Sequence, residues 1–230
     1  MVAWLLCAAA LIACVVLRLY SLLPKGTIHK ARIRPGTQSC SLAVFLGSGG
    51  HTSEALTLVS SLDFTRYFPR TYIVSEGDIL SARKAAALER VKAAVSPPYS
   101  RVSDAPYRIL TIPRARRVHQ TLLTTPLTAA CSLLACLYHV TLCPIWTSAP
   151  LAEVLLLNGP GTCFVLCVAT YFNRLLGLPS PRLIYIESFA RVRSLSLSGK
   201  LLRPFVDRFV VQWETLLQRD KRGDYRGWLV

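Results

Sequence analysis

Residues 41–51 read Ser-Leu-Ala-Val-Phe-Leu-Gly-Ser-Gly-Gly-His. Ser41 to Leu46 is a short, almost wholly apolar run, the pattern of a strand buried on both faces. Gly47 to His51 interrupts it with three glycines, and a helix is expected to open near Thr52, with Leu56, Val59 and Leu62 at helical spacing. A buried strand, a glycine turn and a helix N-terminus, in that order, form the opening unit of a parallel α/β fold.

The unit recurs downstream. Strands are expected at Arg70–Ser75, Tyr107–Ile112, Glu153–Leu157, Arg182–Ile186 and Arg208–Val211. Between them lie helical stretches at Ile79–Val95, closed by Pro97-Pro98, and at Cys163–Leu176. Strands that are apolar runs, alternating with helices, point to a doubly wound parallel sheet covered on both faces, a Rossmann-like α/β fold. At 230 residues the chain accommodates one such domain and falls short of the two that many transferases need.

Val2 to Leu17 carries no charge, and Leu19 to Leu23 continues the run past Arg18, whose side chain can snorkel. Arg18, Lys25, Lys30, Arg32 and Arg34 follow it closely, so the positive-inside rule orients the segment as a single-pass anchor with a lumenal N-terminus and a cytosolic remainder. The expected division is an anchor over 1–23, a basic tether over 24–39 and a cytosolic domain over 40–230. A cleaved signal peptide would carry its positive charge on the other side. The second apolar stretch, Thr121 to Trp146, contains Pro126, His139 and Pro144 and reads as a core or membrane-docking helix. A second crossing would put the two glycine turns on opposite sides of the bilayer.

The formal net charge of +15 favours an anionic partner: a leaflet, a nucleic acid or a phosphorylated substrate. Nucleic acid fits poorly, because the basic residues are not interleaved with aromatics and an anchor restricts access. The 8 cysteines include no Cys-x-x-Cys pair and many sit among apolar neighbours, so most of them read as small buried hydrophobes in a reducing compartment rather than a metal or disulfide framework.

Ligands of such sheets bind beyond the carboxyl ends of the strands. There, Gly47, Ser48, Gly49, Gly50 and Thr52 could bring backbone N–H groups and a helix dipole to a phosphate, with His51 as proton acceptor and Glu54 as hydroxyl acceptor. The same glycines would also serve a tight turn with no ligand, and Glu54 would also complement a helix dipole. Asn158, Gly159, Gly161 and Thr162, around Pro160, repeat the arrangement after a later strand. Glu187 follows another strand, with Arg191 nearby as an ion partner or phosphate ligand. Glu76-Gly77-Asp78 is ordinary turn chemistry rather than a metal pair, and no metal is expected. Arg114, Arg116, Arg117 and His119 form a basic cluster suited to acidic headgroups or a diphosphate.

With these segments in view the chain resembles the membrane-anchoring subunit of the bipartite UDP-N-acetylglucosamine transferase of early N-linked glycan assembly. The matching stretches are 47–54 (GSGGHTSE), 112–114 (IPR), 158–163 (NGPGTC), 185–188 (YIES), 197–200 (LSGK) and 211–213 (VQW). The resemblance implies the acceptor-side half of a GT-B glycosyltransferase, with a small catalytic subunit supplying the half that binds UDP-GlcNAc and no cofactor held by this chain. It implies transfer of a second N-acetylglucosamine to dolichyl-diphosphate-GlcNAc at the cytosolic face of the endoplasmic reticulum membrane. His51, Glu54 and Glu187 are then the candidate catalytic groups, and the turns with Arg114 hold the acceptor diphosphate. Gln212, Trp213, Trp228 and Leu229 lie in the region that would bind the catalytic subunit. Glu214 stands where proline is usual in the family, and the last five residues match loosely. A pure membrane recruiter is the alternative of a different class, and a nucleotide-dependent oxidoreductase lacks its glycine fingerprint.

Overall fold

The computed structural model describes residues 2–24, 38–95, 106–116, 120–121, 123–159, 161–217 and 222–229. Residues 25–37 of the tether, Pro97-Pro98, Arg117, His119 and Pro160 lie outside the described residues.

The sheet has seven parallel strands: β1 (Leu42–Leu46), β2 (Arg70–Ser75), β3 (Tyr107–Ile112), β4 (Val154–Asn158), β5 (Arg182–Ile186), β6 (Arg208–Val211) and β7 (Asp224–Tyr225), in the spatial order 3-2-1-4-5-6-7. The chain moves outward from β1 to β3, then crosses back to lay β4 against the free side of β1 and continues outward to β7. The direction of winding therefore reverses between β1 and β4, and it is there that a doubly wound sheet leaves a crevice.

Both faces are covered. Leu42, Val44 and Leu46 of β1 pack with Ala55, Leu56 and Val59 of α2 (Gly50–Ser60) and Ala85 of α3 (Ile79–Val95). Ala43 and Phe45 point the other way, into a cluster with Cys136 of α4 (Thr125–Leu137) and Cys163, Leu166 and Ala169 of α6 (Thr162–Leu176). With one layer on each side, no residue of β1 has a wet face, which is why this strand is apolar throughout.

β2, β3, β5 and β6 fall at the bounds that the sequence pattern indicates, and β4 lies one residue later. β7, with two residues, and α7 (Leu197–Leu202), a single short helix capped by the Ser196 hydroxyl, are too brief to carry a periodic signal.

The second apolar stretch is not one regular helix. α4 gives way to a π-helical turn at Tyr138–Leu142 and then to α5 (Cys143–Thr147). Pro144 has no N–H to offer the carbonyl four residues back, and that carbonyl, of Val140, accepts instead from Asn173 Nδ2 at 2.8 Å. The stretch is buried on one side alone: Leu127, Leu134, Ile145 and Trp146 are exposed, and among its described residues only Ser132, Cys136, Val140 and Thr141 are buried.

α1 (Val2–Leu22) meets α6, and Leu22 and Leu23 pack against the core on that same face. Trp4–Leu22 and Thr125–Thr147 are each long and apolar enough to cross a membrane by length and composition.

On the opposite face, Arg70 and Glu89 form an ion pair with Nε–Oε1 2.6 Å and Nη2–Oε2 2.8 Å, both side chains 4% exposed. The Tyr72 hydroxyl donates to Glu89, and the third arginine nitrogen caps the carbonyls of Phe64 and Tyr67, so every charge is partnered. Arg70→Met would leave the Glu89 carboxylate buried and unpaired, at a cost of about 3–5 kcal/mol. Arg70→Met with Glu89→Met should recover much of it, as read by denaturant unfolding in micelles.

Candidate active site

Leu46 and Asn158 are register partners at the ends of β1 and β4, so the two glycine turns leave the sheet side by side at its winding reversal. They touch through backbone. A Cβ on Gly47 would lie 2.7 Å from the Asn158 carbonyl oxygen and 3.1 Å from Gly159 Cα, and Gly159 itself has φ +131°. Gly47 and Gly159 therefore permit the contact between the turns. Gly50 and Gly161 border open space. Ser48 and Gly49, at φ 60° and 57°, swing the chain into α2, whose N-cap residue offers no side-chain hydrogen bond. The first N–H groups of α2 thus point outward with the positive end of its dipole.

A hydrogen-bonded chain crosses the crevice. His51 Nδ1 lies 2.9 Å from Asn158 Oδ1, Asn158 Nδ2 donates to Glu54 Oε2 at 3.2 Å, and the Ser188 hydroxyl donates to Glu54 Oε1 at 2.8 Å. Chemistry fixes its polarity. An ionised Glu54 only accepts, so the Asn158 amide must face it with nitrogen and face His51 with oxygen. His51 Nδ1 must then carry a proton, so that in the neutral ring the lone pair is on Nε2, which has no partner among the described residues. Asn158 is fully buried, while His51 and Glu54 are half-buried.

The other candidates are placed differently. Glu187 is 1% exposed, with Oε1 accepting from Ser188 N–H and Oε2 from the N–H and hydroxyl of Ser196, each at 3.0 Å. Both oxygens are consumed in pinning the turn that leads into α7, so this carboxylate is a brace. Thr52 is buried against Ser81 at 2.6 Å, and Ser81 in turn is bound by Asp78, which caps α3. Thr162 accepts from Ala115 N–H at 3.4 Å, and Arg114 Nε is tied to the Glu76 carbonyl at 3.1 Å.

Of the residues assigned to partner contact, Gln212 is 0% exposed. It donates to the Glu187 carbonyl at 3.2 Å and accepts from Leu229 N–H at 3.3 Å, so it cannot be a contact residue. Trp213 is half-buried, with its Nε1–H on the Phe189 carbonyl, and Trp228 is 65% exposed. The three rings of Phe189, Trp213 and Trp228 cluster with centroids 5.0–6.0 Å apart. Ser188 lies inside the matching stretch 185–188 but carries no assigned role in the sequence, because its partner Glu54 is 134 residues away.

Burial and the nearby Glu187 charge push the Tyr185 hydroxyl well above its usual range, keeping it a neutral donor or acceptor beside Ser196.

Residues 42–229 match the model of the oligosaccharide biosynthesis protein Alg14-like family. The chain belongs to that family. The UDP-N-acetylglucosamine transferase subunit ALG14 of Cryptococcus neoformans is 47% identical over 205 residues, covering 88% of this chain and 86% of that protein. The protein of the same name from Rattus norvegicus is 39% identical over 198 residues, 84% of each chain. Among solved structures, the crystal structure of Acinetobacter baumannii MurG overlaps with a TM-score of 0.49 at 12% identity, over 82% of this chain and 45% of that one. At that level nothing about the site is carried over.

For this family member the two glycine types separate experimentally. Gly47→Ala should lower the melting temperature by several degrees, because backbone cannot yield to the new methyl group. Gly50→Ala, in open space at a helix start, should leave it within about one degree or raise it.

Proposed function

We propose that this chain is the membrane-anchoring, acceptor-side half of a UDP-GlcNAc transferase that adds the second N-acetylglucosamine to dolichyl-diphosphate-GlcNAc on the cytosolic face of the endoplasmic reticulum. A small catalytic subunit binds UDP-GlcNAc and closes over the crevice. The observation that carries the reading is the His51–Asn158–Glu54–Ser188 chain, which ends in an open Nε2 beside a helix N-terminus at the winding reversal.

The outward N–H groups and dipole of α2 suit the acceptor diphosphate. The acceptor hydroxyl attacks the anomeric carbon of the donor, the bond from that carbon to UDP breaks, and the hydroxyl proton passes to His51 Nε2. Asn158 Oδ1 accepts from Nδ1–H before and after transfer, holding the tautomer, and Glu54 sets the amide orientation and offsets the imidazolium charge. Glu187 takes no proton in this scheme.

Membrane placement is supported by the unlike faces of the sheet. α6 exposes Phe164, Val168, Phe172 and Leu176 at four-residue spacing, and Leu127, Leu134, Tyr138, Leu142 and Ile145 form a neighbouring outward row. α1 adjoins this layer, whereas α3 on the opposite face exposes Arg83, Lys84 and Arg90 together with Ile79, Leu80, Val91 and Val95 near its two ends. An apolar layer continuous with an apolar anchor suits a bilayer.

Co-purification with the candidate catalytic subunit, then transfer from UDP-GlcNAc to a short-chain dolichyl-diphosphate-GlcNAc, tests the proposal. His51→Gln should lower kcat by about 100-fold or more with the complex intact. Transfer by this chain alone would refute the shared site. Full activity of the histidine and glycine-turn variants would leave only a recruiter.

A further inference from the structure

We propose that the turn joining β5 to α7 is an anion site for a diphosphate, with Arg191 and Arg193 as its two arms. Ala190, Arg191, Val192, Arg193 and Ser194 line a hollow of about 300 Å³ on the carboxyl side of the sheet. Both guanidinium groups are exposed, and neither has a hydrogen-bond or ion-pair partner among the described residues. Arg70, Arg114, Arg174 and Arg208 are each tied down by hydrogen bonds, while Arg83 and Arg90 of α3 are exposed like Arg191 and Arg193 but border no such hollow at the carboxyl end of the sheet. Two guanidinium forks over one hollow, with no acidic side chain lining it, match a group with two phosphoryl centres better than a single carboxylate.

The turn is held before any ligand arrives. Ala190 N–H donates to Ser188 Oγ at 3.3 Å and Arg191 N–H to the Ser188 carbonyl at 3.0 Å. From beyond β6, Trp213 Nε1–H holds the Phe189 carbonyl and the Thr215 hydroxyl holds that of Val192, both at 2.7 Å. A backbone fixed at both ends of the turn leaves only the two side chains to be ordered on binding, which lowers the cost of capture. Ser188 also donates to Glu54, so the arginine turn starts at the last member of the chain that crosses the crevice. A diphosphate held here lies at the rim of that site rather than on a remote surface. The identity of its carrier, a lipid or a nucleoside, rests on the transferase reading; the anion site itself does not.

The test uses the full chain in complex with its catalytic partner in micelles, comparing the native protein with Arg191→Gln/Arg193→Gln and with the corresponding double-lysine variant. Inorganic pyrophosphate is titrated while tryptophan fluorescence is followed, since Trp213 holds the turn. The native complex should saturate, the double-glutamine variant should bind about tenfold more weakly or worse, and the lysine pair should recover part of the loss. A second arm measures transfer. A raised KM for a short-chain polyprenyl-diphosphate acceptor, with that for UDP-GlcNAc unchanged, assigns the lipid diphosphate; the converse assigns the nucleotide. Equal pyrophosphate binding by native and double-glutamine proteins overturns the proposal, as does absence of binding. Arginine-dependent binding in a complex that transfers no sugar would keep the anion site and remove the transferase reading.

Discussion

The backbone contact between the turns after β1 and β4 is the constraint on which the site depends. Parallel pairing sets Leu46 opposite Asn158, so both turns leave the sheet at the same height and run into each other. Only glycine at 47 leaves room for the Asn158 carbonyl, and only an unusual φ at Gly159 turns the chain away. That proximity brings the start of α2 beside the end of β4 and lets His51 reach the Asn158 side chain. The polarity of the whole chain then follows from Glu54, which accepts and never donates when ionised.

Buried polar groups elsewhere brace this arrangement. Glu187 anchors Ser188 and Ser196, and Gln212 joins the Glu187 carbonyl to the amide of Leu229. The C-terminal segment is thus stitched to the loop that supplies Ser188, and the Phe189, Trp213 and Trp228 rings close over the join. Low local dielectric makes each of these bonds costly to lose, which favours one fixed geometry at the site rim.

The two faces of the sheet solve different problems. One packs α2 and α3 with a fully partnered Arg70–Glu89–Tyr72 group and presents charge to water. The other packs α4 and α6, then presents apolar side chains outward beside the N-terminal helix. Helical periodicity alone cannot separate a helix apolar because it is buried from one whose apolar side chains point outward, and for Thr125–Thr147 that distinction comes from exposure.

The sequence by itself determined the alternation of strands and helices, the two glycine turns and the apolar N-terminal segment. Those are local signals, carried by period, composition and the glycines that a turn or close approach demands. His51, Glu54 and Asn158 were legible as candidates because their motifs sit where strands feed helices. Only the tertiary structure shows which partners each of them has. It sorted Gly47 and Gly159 from Gly50 and Gly161, made Glu187 and Gln212 braces, and brought Ser188 to Glu54 across a separation of 134 residues. A side chain's role is set by which partners fill its donor and acceptor sites, and those partners come from chain pairings that no local pattern encodes.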